Sequence, residues 1–159
     1  MEEEKYKKYV VYYRKFKELV KLHREFEFGL NPQLPSVFSE GLSKLLLDYS
    51  NWDNRDFDAK VDGKAVEIKA TGSVEGTTTI NLKKIRKNKN NFAYLLWVYF
   101  DLDRDEILLK KITYENLEEK IKLIDNKKER ESISLNLITS TLIAKYKFNL
   151  KMKTLEKLR

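Results

Sequence analysis

The chain has 159 residues, of which 42% are hydrophobic and 36% are charged, and its formal net charge is +7. This length suits one domain, and the composition is typical of a water-soluble globular protein. Because cysteine is absent and histidine occurs once, the sequence excludes disulfide bonds, thiolate zinc sites and two-histidine ribonucleases. A reducing cytoplasm is the expected location. No apolar run reaches the length of a membrane span, so we expect no membrane contact.

Two helices are predicted in the first third of the chain. Apolar residues recur at helical spacing over residues 3–28, which predicts a long amphipathic helix. We expect its aromatic stripe to lie in the core or in a dimer interface. A turn-rich link follows, and a second helix is predicted over roughly residues 37–49, with Ser36 or Ser39 as its N-cap.

Residues 55–73, RDFDAKVDGKAVEIKATGS, contain an Asp-Gly turn between two alternating runs, which is a strong hairpin signal. With Asp-Gly as the two loop residues, Asp58 lies opposite Glu67, and Asp56 lies opposite Lys69. Since side chains alternate across a strand, these four residues share one face. The other face is expected to pack in the core and consists of Phe57, Ala59, Val66 and Ile68.

The two opposed acids of this hairpin suggest a metal site. Carboxylates that face each other across a strand pair repel unless a cation lies between them. Mg²⁺ prefers oxygen ligands, so Asp58 and Glu67 are its candidate ligands. The amine of Lys69 can orient a metal-bound water or take its proton, and such a site can hydrolyse a phosphodiester. The alternative is an ordinary surface hairpin with salt bridges.

The remaining elements are predicted from the same patterns. A short strand or extended turn is expected at TTTINL, followed by a short helix in the basic segment 83–89. Two strands, FAYLLWVYFDL and EILLKKI, come next, and then a helix capped by Thr113. A strand is expected near residues 131–137. Residues 138–159 fit a strand and a helix about equally well.

The hairpin residues resemble a known nuclease motif. Asp58 and the run Glu67-Ile68-Lys69 resemble the PD-(D/E)XK pattern, with Phe57 at the position of the often-variable proline. The run DGKAVEIKATGS, with TTTINL and FAYLLWVYF after it, is similar to type II restriction endonucleases. This resemblance extends over roughly residues 36–112. It implies an α/β fold with a restriction-endonuclease-like mixed β-sheet, a β-meander core flanked by α-helices.

The resemblance also implies roles for individual residues. Asp58 and Glu67 would hold Mg²⁺, with the carbonyl of Ile68 as a further ligand, and Lys69 would activate or position water. Glu40 on the second helix matches an accessory acid found in many members, although it lies opposite the apolar stripe of that helix. A further candidate, for a second metal shell, is Asp56.

Basic residues are concentrated in the segments 83–89 and 145–159, as expected of a protein that contacts phosphate backbones. The candidate phosphate contacts are Lys83, Lys84, Arg86, Lys87 and Lys89. The candidate base contacts are polar residues that alternate along the chain: Arg130, Ser132, Ser134 and Asn136.

Together these features predict a Mg²⁺-dependent type II restriction endonuclease that cuts double-stranded DNA at a specific sequence. It would be a single nuclease domain over 1–159, with an N-terminal helix (1–29), a catalytic core (36–125) and a basic C-terminal extension (126–159). Since each chain has one site and a duplex has two strands, we expect a homodimer. A cognate DNA methyltransferase is a candidate partner. The alternatives are a repair, junction-resolving or nicking nuclease, and a basic DNA-binding module without catalysis.

Overall fold

The computed structural model describes residues 2–29, 32–73, 75–124 and 127–159. Within these ranges the protein is a mixed α/β fold of four α-helices and eight strands. The helices are α1 (Glu2–Glu25), α2 (Ser36–Leu47), α3 (Leu82–Lys87) and α4 (Tyr114–Ile121). The strands are β1 (Ala59–Val61), β2 (Lys64–Thr71), β3 (Thr77–Asn81), β4 (Phe92–Asp101), β5 (Glu106–Thr113), β6 (Arg130–Ser134), β7 (Thr141–Asn149) and β8 (Thr154–Leu158).

Six of the strands form one mixed sheet in the order β1-β2-β4-β5-β7-β8. β2 and β4 are parallel, and the other neighbours are antiparallel. Parallel neighbours need a long connection, and the one from β2 to β4 contains β3 and α3. β3 does not join the main sheet but pairs with β6, forming a two-stranded ribbon.

The sheet separates two hydrophobic clusters. The first joins α1 and α2 to one face and includes Tyr13, Leu42 and Val66. The second joins α3, α4 and the β3–β6 ribbon to the other face and includes Ala65 and Trp97. Because successive residues of β2 enter opposite clusters, both faces of this strand are covered, which explains its nearly continuous burial.

The predicted positions of both early helices are confirmed to within a few residues. The apolar stripe of α1 lies in the core as far as Val20, and Tyr13 stacks on Phe148 of β7 with ring centroids 3.8 Å apart. Phe26, which continues the predicted stripe just beyond α1, is exposed.

The prediction that Ser36 or Ser39 is the N-cap of α2 is wrong, because Pro35 occupies the N-cap position and makes no side-chain hydrogen bond. The hydroxyl of Ser39 instead donates to the carbonyl of Ser36 inside the helix.

The Asp-Gly hairpin has the predicted register, with Ala59 opposite Val66 and Val61 opposite Lys64. Asp62 and Gly63 have φ values of 48° and 76°, and a two-residue turn of this kind requires positive φ at both positions.

The first strand of the hairpin is shorter than predicted, because β1 begins only at Ala59. Asp56 precedes it in a turn where its N–H donates to Asn54 Oδ1 at 2.8 Å, and its side chain is exposed. The predicted pairing of Asp56 with Lys69 is therefore wrong. Phe57 was predicted to share the core face of Ala59, and this is wrong. Phe57 packs in the second hydrophobic cluster, whereas Ala59 packs in the first.

The C-terminal third contributes strands to both sheets. The strand near 131–137 is confirmed as β6, which ends at Ser134 in a short 3₁₀ turn. β7 pairs with β5 inside the main sheet and β8 forms its edge, so the predicted C-terminal extension is part of the sheet. Among the described residues, no helix has both the length and the apolar character needed to cross a membrane.

Candidate active site

Asp58 is held by the backbone of β2. Its Oδ2 accepts a hydrogen bond of 2.7 Å from the N–H of Ile68, and its own N–H donates to the carbonyl of Val66 at 3.2 Å. Since the pairing with β1 stops at Ala59 and Val66, the N–H of Ile68 lies beyond the last paired residue. The side chain of Asp58 satisfies that donor, and this hydrogen bond anchors its carboxylate on β2 next to Glu67.

Glu67 is buried, with 3% of its surface exposed, and two lysines neutralise it. Lys69 Nζ lies 3.0 Å from its Oε1, and Lys84 Nζ lies 2.6 Å from its Oε2. A carboxylate removed from water costs much free energy unless ion pairs and hydrogen bonds replace its hydration. The two ammonium groups therefore make the burial of Glu67 tolerable.

Lys84 reaches Glu67 because the start of α3 is fixed. Asn81, the last residue of β3, caps the helix by accepting a hydrogen bond of 2.9 Å from the N–H of Lys84. Lys84 Nζ also lies 4.6 Å from the ring centroid of Phe57. Sequence reasoning assigned Lys84 only to phosphate binding. An asparagine three residues before it is a helix-start signal, but this signal does not identify Glu67 as the partner.

Burial, followed by neighbouring negative charge, determines how readily Asp58 ionises. Burial raises the pKa of the Asp58 carboxyl, and the charges of Glu67 and Glu40 raise it further. The hydrogen bond from Ile68 and the charge of Lys69 act in the opposite direction, but the net pKa stays above its ordinary value. Glu40 of α2 thus belongs to the same electrostatic site as Asp58 and Glu67.

The comparisons with known proteins identify no relative. No protein-family model, curated protein or solved structure matches this chain. A functional assignment therefore depends on the geometry of Glu40, Asp58, Glu67 and the two lysines.

These residues offer the chemistry that Mg²⁺ requires but are not arranged as a preformed metal site. Asp58, Glu67 and the Ile68 carbonyl provide hard oxygen donors, and the three acids outnumber the two lysines, so a cation is electrostatically favoured. In the described ranges, however, no three acidic, histidine or cysteine side chains are grouped closely enough to hold a metal ion. To bind Mg²⁺, Glu67 would exchange a lysine contact for the metal.

The five basic residues of the segment 83–89 do not share one face. Lys84 points into the candidate site, and Arg86 donates to the carbonyl of Ile121 at 3.5 Å. Lys83 and Lys89 each pair with a glutamate, and these two and Lys87 are exposed. The outward-facing members that remain available to phosphates are Lys83, Lys87 and Lys89.

The predicted base contacts lie on or next to the β3–β6 ribbon. Arg130, Ser132 and Ser134 belong to β6, and Asn136 follows in the 3₁₀ turn, where it is exposed. The ribbon adjoins α3 at Asn81, so these residues and the candidate active site are neighbouring parts of one structure.

Proposed function

We propose that this protein is a Mg²⁺-dependent endonuclease of the type II restriction class, acting on double-stranded DNA. The proposal rests mainly on one observation. The carboxylate of Asp58 is hydrogen-bonded to the N–H of Ile68, between Glu67 and Lys69 of β2, and Lys69 Nζ lies 3.0 Å from Glu67 Oε1. A mixed α/β sheet flanked by helices is compatible with a restriction-endonuclease-like fold, which is part of the same proposal.

In this proposal each residue of the site has a distinct task. Asp58 and Glu67 would hold Mg²⁺ together with the Ile68 carbonyl. When bound, the metal lowers the pKa of the attacking water and stabilises charge that develops on the phosphate. Lys69 orients that water, Lys84 limits the negative charge around Glu67, and Glu40 acts as the accessory acid.

The proposal includes an assembly and partners. Two chains would cut the two strands of a duplex as a homodimer, with a cognate DNA methyltransferase as partner. Since the apolar stripe of α1 is buried within its own chain as far as Val20, the dimer contact must use exposed residues. An exposed apolar group at and beyond the C-terminal half of α1 is the best candidate: Leu19, Leu22, Phe26 and Phe28.

A plasmid digest with Mg²⁺ or with EDTA tests the activity. We expect discrete fragments with Mg²⁺ only, and a loss of at least about 100-fold in rate for Lys69→Ala with DNA binding retained. Lys7→Ala is the matched control, since Lys7 is an exposed lysine of α1 that pairs with Glu4 on the surface and has no proposed contact with DNA. Cutting in EDTA, or wild-type rates for Lys69→Ala, would contradict the proposal. Preferential cutting of branched or mismatched DNA would favour the repair and junction-resolving alternatives.

The ion pairs around Glu67 favour one second candidate, a basic DNA-binding module without catalysis. In that module Lys69 and Lys84 would serve only to neutralise a buried acid. It predicts that Mg²⁺ changes nothing, and that Lys69→Ala binds DNA like the wild type while melting at a lower temperature.

A further inference from the structure

The outer face of the β3–β6 ribbon carries hydroxyl, amide and guanidinium groups. The pairing places Thr77 opposite Ser134, Thr79 opposite Ser132 and Asn81 opposite Arg130. By the alternation of side chains these six residues share one face, and none of them is acidic. Four of them are exposed: Thr77, Thr79, Arg130 and Ser132.

The inner face of the ribbon attaches it firmly to the molecule. Ile80 and Ile133 are almost completely buried in the second hydrophobic cluster. Within the described part of the chain, the hydroxyls of the outer face have no hydrogen-bond partner. The ribbon therefore presents a row of donors and acceptors that only an external molecule or water satisfies.

This row lies next to the candidate active site. Asn81 ends β3 and caps α3 at Lys84, and Lys84 contacts Glu67 at 2.6 Å. Lys84, which contacts the buried Glu67, thus lies less than one helical turn from the end of the ribbon. A duplex held by the ribbon would lie beside the residues proposed to cut it.

The dimensions and chemistry of the ribbon match the major groove of DNA. Strands of five residues extend over about 17 Å, and two paired strands lie about 4.8 Å apart. The major groove is about 12 Å wide and admits a two-stranded ribbon. Hydroxyls can donate to or accept from base edges, and arginine pairs with guanine in this groove.

We propose that the β3–β6 ribbon enters the major groove and reads base edges through Thr77, Thr79, Arg130, Ser132 and Ser134. The inference rests on the proposed function for its substrate, duplex DNA. It deepens that function by assigning two of the five reading residues to β3, whose threonines Thr77 and Thr79 join the three residues of β6. Asn81 instead uses its side chain to cap α3.

Selection from a pool of duplexes with a randomised centre tests the inference. Lys69→Ala serves as parent so that bound DNA stays intact, and the ribbon variant adds Thr77→Val, Thr79→Val and Ser132→Ala. Valine keeps the branched shape that suits a strand. The matched control adds Thr139→Val and Thr141→Val, two exposed threonines outside the ribbon.

We expect the parent and the control to enrich one short motif. The ribbon variant should lose about ten-fold or more of this enrichment while its affinity for the unselected pool changes less than about two-fold. Equal enrichment by the ribbon variant, or none by the parent, would overturn the inference. Mg²⁺-dependent plasmid cutting is scored separately: cutting without ribbon-dependent selection removes only this inference, whereas selection without cutting removes only the catalytic proposal.

A cross-link provides a second measurement if the triple variant does not fold. Because the chain contains no cysteine, Thr79→Cys and the control Thr141→Cys each introduce a single thiol. The selected duplex carries a tether on a base in its major groove that ends in a mixed disulfide, so attack by the protein thiolate forms the new disulfide and releases the small leaving thiol. A disulfide to Thr79→Cys at least about ten-fold faster than to Thr141→Cys supports the inference, and equal rates overturn it.

Discussion

Asp58 connects stability with the proposed chemistry at the scale of one residue. Burial and the charges of Glu67 and Glu40 raise its pKa, so the folded protein holds the proton more tightly than the unfolded chain. The ionised carboxylate therefore lowers stability at neutral pH. This penalty disappears as the pH falls through the raised pKa to below the unfolded value.

Asp58→Asn should therefore melt at a higher temperature than the wild type at pH 7, with a smaller gain at pH 4. The amide oxygen can still accept the hydrogen bond from Ile68, while DNA cutting should fall at least about 100-fold. Thermal melts at both pH values and the plasmid digest measure the two effects. Asp103→Asn, at an exposed position, is the control, and a gain independent of pH would contradict the assigned cause.

The two neighbouring lysines Lys83 and Lys84 should differ strongly in their effect on folding. Lys84→Met removes one of two counter-charges from the buried Glu67, and we expect a loss of about 1–3 kcal/mol in the free energy of unfolding. Lys83→Met breaks only an exposed pair that solvent screens, and should leave the free energy of unfolding nearly unchanged. Urea unfolding compares them, and equal losses would show that Lys84 does not stabilise Glu67.

At the scale of elements, α1 is attached to the turn between β4 and β5 through Asp105. The hydroxyl of Tyr13 donates to Asp105 Oδ1 at 3.2 Å, and Lys17 Nζ lies 2.6 Å from the same oxygen. Tyr13→Phe keeps the stacking on Phe148 but removes this hydrogen bond.

We expect Tyr13→Phe to lower the free energy of unfolding by about 0.5–1.5 kcal/mol, because a partly buried acceptor loses one of its donors. Tyr12→Phe on the exposed side of the same helix should change it by less than about 0.5 kcal/mol. Both values come from urea unfolding followed by circular dichroism. A Tyr13→Phe protein as stable as the control would mean that Lys17 alone holds Asp105.

At the scale of the whole molecule, the proposed homodimer can be tested at the exposed apolar residues in and just beyond the C-terminal half of α1. Leu22→Glu with Phe26→Glu places charges in this surface and should convert a dimer into a monomer. Light scattering measures the mass, and Leu123→Glu, at an exposed leucine elsewhere, should remain dimeric. A wild-type protein that is monomeric both alone and on DNA would contradict the assembly.

Local features of the fold were predictable from the sequence, because they depend on neighbouring residues. The Asp-Gly turn sets the register of β1 and β2, Thr113 caps α4 by accepting a hydrogen bond from Asn116, and the apolar periodicity marks α1. The proximity of Asp58 and Glu67 follows from the same turn. It is therefore a property of a short segment and does not need the rest of the chain.

Contacts between distant residues were decided only by the tertiary structure. The pairing of β7 with β5, the union of β3 with β6, and the contact of Lys84 with Glu67 each join segments that no local pattern relates. Glu40 approaches Asp58 because α2 packs on the sheet, although helical periodicity alone places it away from the apolar stripe. Burial then determines the chemistry, since a carboxylate removed from water must find a cation, and packing determines which cations are within reach.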